Sequence, residues 1–188
     1  MAMARFVMRE LVGLAIASAA VVAGAVVVAT AQPLAAGIGR APTPDEVAAL
    51  DISVAPDGTG LPRGHGSPRE GELLYRSTCA PCHGARGEGR AEFPALAGGV
   101  GSLASAQPVL TVGSYWPYAT TVWDYIHRAM PYDSPGALTS DEVYAVTAYI
   151  LHLNGLVAET DVLTETTLPR VVMPNRDGFI ADPRPDVR

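Results

Sequence analysis

The only two cysteines of the chain stand three residues apart in Cys79-Ala80-Pro81-Cys82-His83, a C-x-x-C-H spacing that suits covalent attachment of a c-type haem. Two thiols so placed, on a turn running into a helix, can each add to one porphyrin vinyl group, and the next residue then lies beneath the iron. On this reading Cys79 and Cys82 hold one haem c and His83 is its proximal ligand. The same pair of cysteines also occurs as half a zinc site, as a dithiol redox pair or as a structural disulfide. Zinc needs two further strong ligands at motif spacing, and no second Cys/His cluster exists in the sequence. A dithiol redox motif belongs at a helix start in a βαβ pattern, and strand signals are weak throughout.

The ligand on the other side of the iron decides between electron transfer and chemistry on a bound substrate. No cysteine is left over and the chain has no lysine. Met130 stands 47 residues after His83 and Met173 stands 90 after, each followed by a proline that would hold the sulfur in a rigid turn. Met130 is favoured because it lies between the helices expected to wall the pocket, with Met173 as the alternative sixth ligand. Either methionine could instead fill a gap in the core. His127 and His152 are further candidates, for bis-histidine ligation, although single histidines on helices more often serve the core or the surface. Thioether ligation would saturate the iron and favour outer-sphere electron transfer.

These residues need helices to position them. Ser67-Pro68-Arg69-Glu70 supplies an N-cap serine, a proline at the first helical position and a glutamate at the third. The predicted helix runs to about Ser77, and Gly71 with Tyr75 one turn on lets another helix cross closely. After the haem motif come the loop Gly84-Ala85-Arg86-Gly87-Glu88-Gly89-Arg90 and Phe93-Pro94-Ala95-Leu96. A carbonyl near Pro94 is the expected acceptor for the second ring nitrogen of His83. The aromatic cluster Ser114-Tyr115-Trp116-Pro117-Tyr118 reads as core that also closes the pocket, with an indole or phenol donating to a haem propionate. Helical spacing over residues 119–130 puts Val122, Ile126 and Met130 on one stripe beside Trp123, and Pro131 ends it. Thr139-Ser140-Asp141-Glu142 opens a last helix through Leu153, stopped by Asn154-Gly155. Val143, Val146, Ile150 and Leu153 form its apolar face, flanked by Tyr149, a partner for the Gly71/Tyr75 face.

The division that follows is residues 1–31 as signal peptide or membrane anchor, 32–66 as a Pro/Gly-rich arm, 67–156 as the haem domain and 157–188 as an irregular tail packing back on it. Arg5 and Arg9 precede an uncharged stretch over residues 11–31, and Ala29-Thr30-Ala31 has the small-x-small form of a cleavage site. The stretch is also just long enough to span a bilayer, so an uncleaved anchor competes with a signal peptide. Both export the domain, which implies a periplasmic location and suits covalent haem. Within the arm, Thr43-Pro44-Asp45-Glu46 predicts a short capped helix to Leu50; the remainder is read as a solvated tether or as a strap over a partner, with His65 a surface residue. A formal charge of −6 with every cation an arginine excludes a basic nucleic-acid surface.

The chain resembles the class I cytochromes c, on Cys79-Ala80-Pro81-Cys82-His83-Gly84 and the terminal helix pair, which implies an all-α fold around one covalent haem. Within that class it is similar to the haem subunits of periplasmic sulfite dehydrogenase and sulfane (sulfur) dehydrogenase. The narrower likeness rests on Asp57-Gly58-Thr59-Gly60-Leu61-Pro62, Thr111-Val112-Gly113-Ser114-Tyr115-Trp116-Pro117-Tyr118-Ala119, Asp124-Tyr125-Ile126 with Arg128-Ala129-Met130-Pro131, and Glu142-Val143-Tyr144-Ala145-Val146-Thr147-Ala148-Tyr149 with Leu153-Asn154-Gly155. Met173-Pro174-Asn175 and Gly178-Phe179 extend it, so that it covers roughly residues 40 to 180. The resemblance implies docking on a molybdopterin-containing subunit that does the chemistry, with electrons passed on to a downstream cytochrome or terminal oxidase. It also implies that His83 and Met130 ligate the iron and that Tyr115 and Trp116 line the haem edge. Sulfane dehydrogenase cytochromes usually carry two haem domains and this chain has one motif, which points to sulfite. The competing expectations are a haem enzyme acting on peroxide or thiosulfate, which needs an open sixth position, and a free-standing electron shuttle.

Overall fold

The computed structural model describes residues 39–184. The expected export segment, the first residues of the arm and the last four residues of the chain lie outside it. The described residues divide into two units between Val47 and Ala48. Helix α1 (Pro44–Leu50), which runs across that division, begins at a capping box, the Thr43 amide donating to Glu46 at 2.8 Å and the Glu46 amide to the Thr43 hydroxyl at 3.3 Å. Arg40 adds an exposed ion pair to Glu46 at 2.5 Å.

The second unit is helical, with α2 (Pro68–Leu74), a π-helical turn at Tyr75–Cys79, α3 (Ala80–His83), α4 (Ala119–Ala129) and α5 (Ser140–Leu153). The starts of α2 and α5 carry complete capping boxes, Ser67 with Glu70 and Thr139 with Glu142, which satisfy otherwise orphaned amides. The expected helix to Ser77 instead continues to His83 through the wider turn, for which Pro81 gives the reason. Pro81 has no N–H to offer Ser77 O and its ring crowds that carbonyl. The backbone widens just before it, so that the Ala80 N–H reaches back five residues to Tyr75 O. The Ser77 hydroxyl donates to Leu74 O at 3.0 Å in the same turn.

Helices α2 and α5 cross at Gly71, where a Cβ would collide with the Ala145 carbonyl. Tyr75 packs on Tyr149 beside it, with ring centroids 5.1 Å apart. Helix α4 lays Val122, Trp123 and Ile126 into the core against α5, with Trp123 5.4 Å from Tyr144. Between α3 and α4 there is no helix, only loops closed by hydrogen bonds among themselves and to the Asn154 side chain.

From Ser53 onward the segment expected as an arm straps its own domain. Val54 is buried and its amide donates to the Asp124 carboxylate at 2.9 Å, Thr120 donates to Pro56 O at 2.9 Å, and Tyr144 to Pro62 O at 2.9 Å. The strap ends in β1 (His65–Gly66), antiparallel to β2 (Leu163–Thr164), with His65 opposite Thr164 and Gly66 opposite Leu163. The tail returns across the domain through Leu163, Leu168 and Met173, all buried. Among the described residues no helix is long and apolar enough to cross a membrane.

Candidate functional site

The haem motif occupies the end of one continuous helical stretch. Cys79 closes the π-helical turn, and Cys82 and His83 form the last turn of α3. Gly84 follows with φ +84°, a left-handed conformation that glycine adopts without strain and that turns the chain sharply out of the helix. The turn is pinned by Tyr75, whose buried hydroxyl donates to Gly84 O at 3.0 Å. Burial raises the Tyr75 phenol, helped by Cys79 and Glu88, so it stays a neutral donor. Before haem attachment, burial also pushes the Cys79 thiol up to about 11, with Cys82 beside it adding to the shift.

His83 Nδ1 donates to Pro94 O at 2.9 Å. That bond fixes the neutral imidazole in the Nδ1–H tautomer and leaves the lone pair on Nε2, the form in which histidine binds a metal. Phe93 stands edge-on to the ring at 6.3 Å. Two cysteines and a pre-oriented imidazole, presented from one rigid stretch of helix, are a donor set that fits a covalent haem.

The two candidate methionines have different surroundings. Met130 ends α4, its amide bonded to Ile126 O at 3.0 Å, and its side chain is partly buried against the core. Met173 is 1% exposed, enclosed in the core together with Leu163 and Leu168. Of the two candidate histidines, His127 lies against Trp123 at 4.8 Å with its buried Nδ1 unpartnered, and His152 donates from Nδ1 to Val157 O at 3.1 Å. Tyr115 is partly exposed and meets Phe179 of the tail at 5.2 Å, and Trp116 packs edge-on to Tyr125 at 5.7 Å. Their loop is held by a buried reciprocal pair, the Thr111 amide to Ser114 Oγ at 2.9 Å and the Ser114 amide to Thr111 Oγ1 at 3.1 Å.

Two contributors escape a sequence reading. Tyr75 reads as helix packing, and nothing local marks its hydroxyl as the anchor of Gly84. Asn154 reads as a helix stop, yet its side chain reaches the loop that carries Pro94.

Fold and site together define a monohaem c-type cytochrome domain. The cytochrome c family model matches residues 68–154, the stretch from the start of α2 to the end of α5. A chain in the crystal structure of the sulfane dehydrogenase SoxCD from Paracoccus pantotrophus is 48% identical, with a TM-score of 0.73, over 79% of this chain and 73% of that one. The chain belongs to the cytochrome c family, carries one covalently bound haem c and is an electron-transfer domain. A Cbb3-type cytochrome c oxidase subunit CcoP from Azospirillum sp. (strain B510) is 32% identical over 93 residues, 47% of this chain and 31% of that protein, so the chain spans about a third of the length of that curated relative. A thiosulfate dehydrogenase (TsdBA) structure from Marichromatium purpuratum aligns at 30% identity over 45% of this chain and 17% of that one, with a TM-score of 0.35.

Proposed function

We propose that this cytochrome is the electron-accepting subunit of a periplasmic molybdenum dehydrogenase that oxidises a sulfur compound, and that it hands electrons to a downstream cytochrome or terminal oxidase. The single observation that carries this is the 48% identity to a chain of a sulfane dehydrogenase, sustained over most of both chains. Catalysis then belongs to the partner subunit. When bound, the haem supplies a one-electron Fe(III)/Fe(II) couple. Cys79 and Cys82 hold it, His83 coordinates through Nε2, and Met130 completes the coordination through its thioether. The enclosure of Met173 supports Met130 over Met173, since a sulfur already surrounded by core side chains is a gap-filler. Tyr115 and Trp116 line the edge and exclude water from it.

Two sulfur substrates have support. The single haem motif favours sulfite, and the identity to a sulfane dehydrogenase chain favours a sulfane sulfur. The test is to purify the oxidised cytochrome gently from its host and follow its visible spectrum after adding sulfite, or a carrier-bound sulfane. Reduction by one of them, with a molybdenum-containing chain in the preparation, identifies the donor. Reduction by dithionite alone, with the cytochrome eluting at its monomer size in low salt, overturns the proposal in favour of a free-standing shuttle. Ready cyanide binding and a high-spin ferric component would instead point to a haem enzyme with an open sixth position.

The same proposal places residues 1–31 as the export signal, or as an inner-membrane anchor where they are not cleaved. Mass spectrometry of the N-terminus of the native protein separates the two.

A further inference from the structure

We infer that Asn154 is a positioning residue for the haem: its side-chain amide clamps the loop that carries the Pro94 carbonyl and thereby sets the strength of the His83 Nδ1–H bond and the potential of the iron. The inference rests on the assignment of His83 as the proximal ligand.

Asn154 stands where α5 ends, and every polar group of its side chain is used. Nδ2 donates to Ile150 O at 2.9 Å, one turn back on α5, and to Leu96 O at 3.0 Å; Oδ1 accepts the Gly98 amide at 3.1 Å. An amide has two N–H donors, and both are spent here, one on the helix and one on the loop. Room for the clamp is made by Gly113, where a Cβ would collide with Asn154 Oδ1.

The clamped segment is held on its other side as well. Gly87 O, in the loop just beyond the haem motif, accepts the amides of Leu96 at 2.7 Å and Ala97 at 3.0 Å, and the Val112 amide donates to Leu96 O at 3.2 Å. Pro94 is two residues upstream of Leu96, so the carbonyl that accepts from His83 at 2.9 Å is tethered through Ala95 to a fixed point. Of these restraints on residues 96–98, Asn154 is the one that ties the loop to α5. That helix is locked in turn against the haem-bearing stretch at Gly71 and at the Tyr75–Tyr149 contact. The clamp therefore refers the acceptor carbonyl and the histidine to one rigid pair of helices. A positioning shell of this kind orients a metal-binding histidine and raises its basicity. A firm bond from Nδ1–H makes the imidazole a stronger donor and favours the ferric state. Loosening the loop should weaken that donation and raise the potential.

The direction separates this role from plain stability. General loosening of a haem pocket admits water, which favours the more highly charged ferric state and lowers the potential. The experiment compares the full-length holocytochrome with Asn154→Ala and Asn154→Ser. The serine hydroxyl can bond back to Ile150 O but is too short to span to Leu96 and Gly98, so it keeps the helix end and removes the clamp. The readouts are the midpoint potential and the solvent exchange of the His83 Nδ1 proton in the reduced protein by NMR. The result expected is an upward shift of potential in both variants, with several-fold faster exchange of that proton. An unchanged or lowered potential in Asn154→Ser, whatever happens to the melting temperature, would show that Asn154 is only a helix cap. If Asn154→Ala fails to mature, Asn154→Ser decides alone. An error in the proximal assignment would show separately, as a low-spin spectrum surviving His83→Ala, and an error in the proposed function as the sulfur-compound reduction failing with Asn154 intact.

Discussion

Met130 and Met173 differ in a way that makes them easy to tell apart by substitution. Met173 is almost wholly enclosed, so Met173→Ala should act as a core truncation, costing about 2–5 kcal/mol in denaturant unfolding while leaving the visible spectrum and the potential unchanged. Met130→Ala should act on the haem. With Met130 as the proposed sixth ligand, its removal should lower the potential by on the order of 0.1 V, a fraction of the roughly 0.8 V over which axial ligands set haem potentials, and should perturb the spectrum; because Met130 also packs on the core, spectrum and potential, not unfolding, separate the two variants. Spectroelectrochemistry and denaturant titration of the two variants provide the check. If Met173→Ala shifts spectrum and potential and Met130→Ala shifts neither, the ligand assignment is wrong. At this scale the haem-attachment motif was legible, because Cys79-Ala80-Pro81-Cys82-His83 is a pattern of spacing along one short stretch. Asn154 was not legible as a clamp, because its loop partners lie 56 and 58 residues away in sequence and are backbone groups that carry no residue-type signal.

At the scale of elements, the close crossing of α2 and α5 is the feature most exposed to a single change. In Gly71→Ala the new methyl group meets the Ala145 carbonyl, a backbone atom that no change of rotamer can move. The helices must separate, and we expect a loss of about 1–3 kcal/mol, in the range of overpacked cores, with reduced yield of mature holoprotein in expression assays. The capping boxes add a pH dependence of definite sign. Ser67 holds the Glu70 carboxyl below its ordinary value through its hydroxyl and its amide, and the Thr139 amide and hydroxyl do the same for Glu142. Carboxylates depressed in the folded state contribute stability that is complete well above their ordinary value of 4.5, declines as the pH falls below it, and is gone once the folded-state values are passed. Melting temperature against pH should therefore fall off below about 4.5, and a Glu70→Gln, Glu142→Gln double variant should flatten that acid limb. These helix starts were readable because a cap is local chemistry. The π-helical turn was not, since widening the helix is one of several ways to accommodate Pro81 and the choice depends on packing around Tyr75.

At the scale of the molecule, the feature that the sequence conceals is the packing of residues 53–66 on the haem domain. The Pro/Gly-rich composition of residues 32–66 has no periodicity, and that legitimately predicts the absence of helix and strand over most of it. It says nothing about whether the backbone is packed, because the strap is held by single bonds to distant side chains: the Val54 amide to Asp124, and the Thr120 and Tyr144 hydroxyls to Pro56 and Pro62 carbonyls. The paired strands of two residues each are likewise too short for an alternation to show. A truncation series follows from this geometry. Compared with a chain beginning at Ala48, one beginning at Ser67 loses the burial of Val54 and leaves the Thr120 and Tyr144 hydroxyls and one Asp124 lone pair without their partners. At about 1 kcal/mol for each hydrogen bond and about 1.5 kcal/mol for the valine, the loss should reach about 3–5 kcal/mol. A free-standing domain of this size has a stability of about 5–15 kcal/mol, so the shorter chain should be marginal and not merely weakened. Denaturant unfolding of the two holoproteins, followed by the visible absorption and by far-ultraviolet circular dichroism, measures the difference. Equal midpoints would show that the strap is an appendage and that the stable domain begins at Ser67.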